Sequence, residues 1–549
     1  MAKKPTAATT AAGKKATVKK AAAKKPAKTA PTRPVPAASR NLAAQPNGTV
    51  FGSAAVVAPG SPEEYRARVR MYRHGLGDCF LVTFPRTGHV PFQMLIDCGA
   101  LARDAEHMQR LVQHVCDTVR ADARDAPGVK ARLDVVVATH EHKDHVSGFN
   151  QARELFDNEF KFGAVWLGWT ENLTQPQIKE LKEARKQAAT KLRAALGSPL
   201  AAAAGDAFNG LEALLGFVED DQATGARSVA EAIEYLKHRG EDAGDLRYLE
   251  PGTGPIEMDG VTDVRAYVLG PPRDPILLKG SEVTEQLKRD GVIYHLAATG
   301  KAGLDALGAA LTAADPVGDR YHPFSAEHRI ARTVPEPAND GKQKPNPYFA
   351  ALRPFVKKTY ERKGEEWRRI DHDWLGAFGQ LALDLDSDTN NTSLVLAFEF
   401  VKTREVLLFV GDAQVGNWRS WANVEFAVPG IPKPLPAHDL IRRTVFYKVG
   451  HHCSHNATIK AGGLELMTRD DELVAFIPLD RETAAQMGKK DPVTLKPKGW
   501  DMPAAPLFKA LREKAKNRVV ISDPSEPLTP EAMEASIIST DTYVDYFLR

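Results

Sequence analysis

Thr139-His140-Glu141-His142-Lys143-Asp144-His145 is the stretch on which the reading of this 549-residue chain turns. Four metal-capable side chains, His140, His142, Asp144 and His145, fall within six residues, directly after the apolar run Val135-Val136-Val137-Ala138. A strand that ends in such a cluster can aim imidazoles and a carboxylate at one point. Imidazole suits zinc and other borderline transition ions, and a carboxylate suits harder ones. The spacing is tighter than one ion needs, which points to two adjacent divalent metal ions. The bland alternative is a polar loop with histidines there by chance. With 16 His in the whole chain, three within six positions beside an Asp fit chance poorly.

Working outward, the same event recurs: a strand delivers Asp or His at its carboxyl end. Gln93-Met94-Leu95-Ile96 runs into Asp97-Cys98-Gly99, Leu408-Phe409-Val410 into Gly411-Asp412, and Val445–Val449 into Gly450-His451-His452. Further strands are expected over 68–72, 79–84, 163–168, 264–269, 393–400, 473–477 and 518–521. A helix is expected over 101–123, from the spacing of Leu111, Val112, Val115 and Val119. Several strand ends converging on one edge of a layered α/β fold is how a site is assembled from distant sequence. The Ala/Leu/Lys/Glu-rich stretch 175–245 reads as a helical insertion. Residues 276–385 read as a second, mostly helical insertion broken by Pro and Gly. One domain is thus expected in two parts, 61–275 and 386–549.

The formal charge of +3 hides an asymmetry: residues 1–40 hold 11 Lys/Arg and no acid, leaving the rest at −8. A segment of Ala, Lys, Pro and Thr cannot bury enough apolar surface to offset its ordering entropy, so 1–60 is expected to be a disordered basic tail. It resembles the Lys/Ala/Pro tails of histone-like proteins, and it suits salt-sensitive contact with nucleic-acid phosphates as well as a merely solvated arm. Four cysteines (Cys79, Cys98, Cys116, Cys453) are too few for a disulfide scaffold and match no zinc-binding spacing, so a reducing, cytoplasmic setting is expected. No apolar run of about eighteen residues is present, so no membrane span is expected. The N-terminus lacks the apolar core of a secretory signal.

His-Glu-His-Lys-Asp-His resembles the HxHxDH signature of the metallo-β-lactamase fold, and the order of Asp97, Gly411-Asp412 and His451-His452 around it is similar too. Among its branches the chain looks most like the hydrolase domain of ComEC/Rec2-type competence proteins. Gly75-Leu76-Gly77-Asp78-Cys79 resembles their GQGD turn, Asn390-Asn391-Thr392-Ser393 their Asn-rich approach to a strand, and His451-His452-Cys453-Ser454 their HHGS. The likeness covers roughly 65–170, 245–275 and 388–525, without the tail, the insertions or those proteins' membrane channel.

The resemblance implies an αββα four-layer sandwich holding two divalent ions, zinc or manganese. His140 and His142 would hold the first ion and Asp144 and His145 the second. Asp412 would bridge them, His451 or His452 would complete the second site, and Asp97 would hold the His-rich loop. Two departures stand out. Asn390-Asn391 occupies the approach where most of the superfamily supplies a third histidine, and an amide oxygen there implies either a looser first site or one that favours manganese over zinc. Cys453 replaces the glycine of HHGS.

The activity implied is phosphodiester hydrolysis by a two-metal centre, with DNA or RNA as substrate. Asp144 would orient the nucleophile or shuttle its proton, and His455, Lys448 or whichever of His451 and His452 is not a ligand would stabilise the phosphoryl group or protonate the leaving oxygen. The alternative is that His455 is a surface loop residue and that Lys448 caps a strand end, which for Lys448 is the favoured reading. Trp418 and Trp421 would wall the site or pack in the core. A small-molecule ester, lactone, phosphorylcholine or lactam hydrolase of the same fold is the alternative. A non-catalytic nucleic-acid-binding or scaffold protein with a residual metal site is the third reading. The insertions are expected either to cover the site's mouth, where a regulatory protein or protease would act on them, or to add structure for oligomerisation.

Overall fold

The computed structural model describes residues 65–278 and 388–549, apart from 87–88, 125–128, 197–227, 488–498 and 501, and a few positions between 354 and 362. The tail read over 1–60 and nearly all of the insertion 276–385 lie outside the described residues.

Seventeen strands are described: β1 (Ala67–Tyr72), β2 (Cys79–Arg86), β3 (His89–Cys98), β4 (Ala131–Ala138), β5 (Phe160–Gly168), β6 (Leu246–Leu249), β7 (Ile256–Met258), β8 (Val261–Gly270), β9 (Val395–Phe400), β10 (Val406–Phe409), β11 (Glu425–Phe426), β12 (Leu435–Pro436), β13 (Thr444–Lys448), β14 (Val474–Ile477), β15 (Val519–Ile521), β16 (Ile537–Ser539) and β17 (Tyr543–Leu548). They form an eight-stranded sheet, β16-β17-β1-β2-β3-β4-β5-β6, a seven-stranded sheet, β15-β14-β13-β10-β9-β8-β7, and the small pair β11-β12. Both large sheets are mixed. β3, β4, β5 and β6 run parallel, as do β10, β13, β14 and β15, while the remaining pairs are antiparallel.

Period-2 alternation sorts side chains between the faces of each sheet. Phe80, Val82 and Phe84 of β2 and Val135 and Val137 of β4 share one core with Leu396, Phe398 and Phe400 of β9 and Leu407 and Phe409 of β10. The two sheets therefore pack face to face, and ring pairs cross between them, Phe80 on Phe409 at 5.9 Å and Phe84 on Phe398 at 5.7 Å. The other faces are covered by helices. Cys79, Leu81 and Val136 of the first sheet meet Leu111 and Val115 of helix α1 (Ala105–Ala123), Val146 and Phe149 of helix α2 (Lys143–Gln151), and Ile233 and Leu236 of helix Val229–Ala243. Val406, Leu408 and Val410 of the second sheet meet Trp418, Leu440 and Leu511 from helices Val415–Ser420, Ala437–Arg442 and Ala505–Lys514. The chain is an α/β sandwich of two mixed sheets between helices.

Local signals explain the helix ends. Asp104 caps α1 by accepting from the His107 N–H at 2.8 Å, and Arg124 closes it in the left-handed region. Ser228 and Glu231 form a reciprocal capping box on helix Val229–Ala243, which stops at Gly244 with φ 76°.

The helical insertion read over 175–245 contains helices Pro176–Leu196 and Val229–Ala243 around undescribed residues 197–227. The two parts of the domain are interleaved rather than stacked. β7 and β8, from the first part, join the second sheet, while β16 and β17, at the chain's end, return to the first sheet beside β1.

Candidate metal centre

β3 with β4, and β10 with β13, are adjacent parallel pairs, so within each sheet their carboxyl ends emerge on the same edge. Asp97 lies in β3 just before its last residue, and the loop Thr139–His142 follows β4. Gly411-Asp412 follows β10, and Gly450-His451-His452 follows β13. The edges of the two sheets are tied where the Leu394 N–H donates to the Thr139 carbonyl at 2.8 Å. Ligands of open α/β folds bind outside the carboxyl ends of strands for this geometric reason.

The His-rich loop turns into α2 at His142, which has extended backbone, φ −106° and ψ 151°. Asp144 thereby sits in the first helical turn, where the dipole favours a carboxylate. Asp97 adopts the left-handed region, φ 57°, and its carboxylate accepts from the Thr139 N–H and the Thr139 hydroxyl, each at 2.7 Å, and from His145 Nδ1 at 2.8 Å. His145 is thereby oriented with Nε2 pointing the other way, 3.2 Å from Asp412 Oδ2 and 3.7 Å from Asp144 Oδ2. His452 donates its Nδ1–H to the Pro478 carbonyl at 2.6 Å and turns Nε2 to Asp144 Oδ2 at 2.9 Å. Asp144, His145, Asp412 and His452 thus bring one ligand atom each within 4.8 Å of one another. Beside them His140 Nε2 and His142 Nδ1 face each other at 3.1 Å, with the His140 and His145 rings 4.1 Å apart.

A second metal-capable group, Asp78, Asp97 and His145, shares His145 with the first. Asp97 already takes His145 Nδ1, and the Lys448 ammonium lies against Asp78, so this group supports the first rather than duplicating it.

The electrostatics fit a cation. Asp78, Asp97, Asp144 and Asp412 are all at most 1% exposed, and Lys448 is the single fully buried lysine among them. Asp144 Oδ1, Asp412 Oδ2 and His145 Nε2 are buried with no hydrogen-bond partner among the described residues. Each such group costs about 1–3 kcal/mol unless something compensates it. Burial drives His140 well below its usual range, and drives His142 and His451 down to about 4. Burial pushes His145 the same way, but Asp412, Asp78, Asp144 and Asp97 outweigh it and hold His145 well above its usual range. His452 is raised against burial by its bond to Asp144 and by Asp412. Burial opposes ionisation of Asp412, yet His145 and Lys448 hold it well below the usual carboxylate range. The residues therefore suit divalent ions: neutral His140 and His142 are ready donors, and the carboxylates need positive charge.

The metal-free protein has a defined proton linkage. The contribution of His140, His142 and His451 to stability is present above pH 6.5 and is lost as pH falls through their depressed folded values, about 4 for His142 and His451. That of His145 and His452 is present below pH 6.5 and is lost as pH rises through their higher folded values. A metal ion bound by this group would displace the protons held on His145 and His452. Binding at pH 7 is expected to release between one and two protons per chain, measured by titration calorimetry in buffers of different ionisation heat. Release close to zero would show these two imidazoles neutral before the metal arrives.

Of the residues singled out from the sequence, His140, His142, Asp144, His145, Asp412 and His452 come together, and Asp97 bonds to the loop that carries four of them. His451 Nδ1 lies 2.8 Å from the Ser454 hydroxyl and 3.2 Å from Gln414 Nε2, and its backbone N–H donates to Asp412 at 2.8 Å. Lys448 is buried, with Nζ on the Gly411 carbonyl at 2.7 Å, on Asp412 Oδ1 at 3.1 Å and on Asp78. His455 is exposed and lines a cavity of about 490 Å³ with Asn456, Ile459 and Leu507 on the outer helical layer. Asn390 and Asn391 are buried beside the loop, and Asn391 accepts from the Asn417 N–H at 3.0 Å, securing helix Val415–Ser420. Cys453 is fully buried in the apolar core under that layer, in the left-handed region at φ 64°. Trp418 and Trp421 are both fully buried in the same core.

Three contributors escaped the sequence reading. Asp78 bonds to Lys448. Ser393 Oγ accepts from the Asp412 N–H at 3.0 Å and lies 3.3 Å from His140 Nδ1. Thr139 connects Asp97 to His140, its hydroxyl 3.1 Å from His140 Nδ1. Only Asp78 had a signal, in the Gly-rich turn that precedes it. The insertion also reaches this region: Lys182 of helix Pro176–Leu196 bonds Glu141, within the His-rich loop, at 2.7 Å, and Glu171 at 2.5 Å.

The fold and site together define an α/β sandwich with buried His/Asp groups that could bind metal ions at the strand ends. No family model matches the chain, and neither a curated protein nor a solved structure matches it. No helix among the described residues is long and apolar enough to cross a membrane.

Proposed function

We propose that this protein is a metal-dependent hydrolase of the metallo-β-lactamase type, similar to the ComEC/Rec2-type hydrolase domain, and that it cleaves phosphodiesters in DNA or RNA. The observation that carries the reading is the pair of adjoining ligand groups, His140/His142 and Asp144/His145/Asp412/His452, at one buried sheet edge. Two ions there, zinc or manganese, would supply an activated water and a clamp on the attacking and leaving oxygens. The chain's own residues do the rest. Asp97 fixes the direction in which His145 donates. Asp144, with Oδ1 unengaged, orients the attacking water and takes its proton. The proton that Asp144 takes passes on to the leaving oxygen, and the neutral His451 imidazole, its Nδ1 against the Ser454 hydroxyl, serves as a hydrogen-bonding group for the phosphoryl oxygens. The basic tail would gather nucleic-acid backbones in a salt-dependent way.

The test is metal analysis coupled to cleavage assays on single- and double-stranded DNA, RNA and cyclic nucleotides, with Mn²⁺ or Zn²⁺ added. Two ions per chain and metal-dependent cleavage that His142→Ala abolishes are expected. No cleavage by either protein, or equal cleavage by both, refutes the reading.

A second reading has one observation in its favour: the ligands are almost fully buried, with His140, His142 and Asp412 each 1% exposed, which suits a small ester or lactone better than a polymer. Deleting residues 1–40 separates the two. A polymer substrate predicts loss of activity and of its salt dependence, and a small substrate predicts neither.

A further inference from the structure

We infer that Asp78 and Lys448 form a positioning couple that makes Asp412 a one-oxygen ligand, leaving only its Oδ2 to face both groups of metal ligands. The inference rests on the two-metal reading and adds to it the reason why Asp412 can serve both groups at once.

Asp78 is held by two of the loops that build the site. Its N–H donates to the Asp144 carbonyl at 2.9 Å, and its own carbonyl accepts from the Gly99 N–H at 3.1 Å. The turn before it tolerates no side chain. A Cβ on Gly77, at φ 153°, would stand 2.3 Å from the Gly99 carbonyl and 2.7 Å from the Asp144 carbonyl, and one on Gly99 would stand 2.5 Å from the backbone of Asp144 and His145. The Asp78 carboxylate therefore has a fixed position relative to the His-rich loop.

Its partner is the Lys448 ammonium, at the end of β13 in the opposite sheet. An ammonium has three donors and no acceptor. Those of Lys448 are matched by Asp78, the Gly411 carbonyl at 2.7 Å and Asp412 Oδ1 at 3.1 Å. At 1% exposure and with its donors spent, Lys448 cannot reach a substrate, and it acts through Asp412.

The effect on Asp412 is asymmetric. Oδ1 accepts from Lys448 and from the His451 N–H at 2.8 Å, while Oδ2 is engaged by neither and faces His145 Nε2 at 3.2 Å. Without the ammonium, Oδ1 is released, the carboxylate can turn both oxygens to a single ion, and the two groups lose their common ligand. The couple also ties the Gly-rich turn, the His-rich loop and the Gly411-Asp412 loop into one rigid unit across both sheets.

The test is metal titration of the full-length protein with Zn²⁺ and with Co²⁺, whose visible absorption reports ligand geometry. Wild type is expected to take up two ions. Lys448→Met is expected to keep one and to bind the second roughly 10- to 100-fold more weakly, the usual effect of removing a residue that orients a ligand, with an altered Co²⁺ spectrum. Lys448→Arg, which keeps the charge, is expected to recover two ions. Should Lys448→Met not fold, Asp78→Asn/Lys448→Met removes both charges of the pair and is expected to fold with the same loss of the second ion. Two ions bound with wild-type affinity and spectrum by either neutral variant overturn the couple alone. A wild type that binds no ion overturns the two-metal reading and the couple with it.

Discussion

Asp412→Ala is expected to leave a folded protein that retains at most one weakly held ion and to reduce any metal-dependent hydrolysis by roughly a thousandfold. That figure follows if losing the second ion removes about 4 kcal/mol of transition-state stabilisation, since each 1.36 kcal/mol is a factor of ten. The structure explains why the fold should survive. Removing the carboxylate lessens an excess of buried negative charge, and Lys448 keeps Asp78 and the Gly411 carbonyl as partners. His145 loses the neighbour that does most to raise its affinity for protons, so proton release on metal binding should fall as well. Metal content, calorimetry and cleavage rate are measured on the same preparation. Two tightly bound ions in this variant would remove Asp412 from the centre.

The largest expected effect on stability lies far from the metal ligands. β1 reads Ala-Arg-Val-Arg-Met-Tyr, an alternation that in isolation describes a strand with one face in water. Instead α1 covers that face, and Arg68 and Arg70 are at most 1% exposed. Arg68 bonds Asp122 of α1 and donates to the Thr83 hydroxyl at 2.8 Å, and Gln93 Nε2 also donates to Asp122, at 2.7 Å. Arg70 forms a bidentate pair with Asp545 of β17, both bonds 2.7 Å. Asp122→Ala strands a guanidinium in the interior, and breaking a buried pair in this way costs about 3–5 kcal/mol. The denaturant midpoint should fall accordingly, with metal content at native conditions unchanged. Arg68→Met/Asp122→Leu should recover most of the loss, because no lone charge remains. A cost below about 1 kcal/mol for Asp122→Ala, the value of an exposed pair, would show that water reaches this face.

Much of the site was legible because its chemistry is concentrated. His140, His142, Asp144 and His145 follow one strand within six residues, and Asp97, Asp412 and His452 each sit at the end of an apolar run that reads plainly as a strand. What could not be read were the contributors whose residue types are common. Ser393 and Thr139 could be any polar residues beside a turn, Asp78 is marked only by the Gly-rich turn before it, and proximity in space gives all three their part. The choice within His451-His452 was equally closed to sequence. The backbone runs through the left-handed region at both residues, φ 43° and 49°, and that path sends one ring to Asp144 and the other to Ser454. Lys448 reads from sequence either as a strand-end cap or as a cation for a substrate, because a strand-end lysine carries no mark of its partners. The C-terminal strands went unread, though Thr540-Asp541-Thr542 before Tyr543-Val544 is a turn followed by strand-forming residues.

The sequence by itself determined the α/β character, the sites where strands end in ligand residues, and the kinds of ion those residues suit, because period-2 alternation and side-chain chemistry are local properties. Tertiary structure alone decided which strands neighbour one another, and so which loops meet. β17 returns from the chain's end to seal Arg70, and β10 and β13 bring Asp412 and His452 to a loop more than 250 residues earlier. That loop carries His140, His142, Asp144 and His145, yet the arrangement of Asp412 opposite it depends on Asp78 and Lys448. A buried carboxylate and a buried ammonium stay charged only where another part of the chain supplies the partner, and no local pattern records where that partner lies.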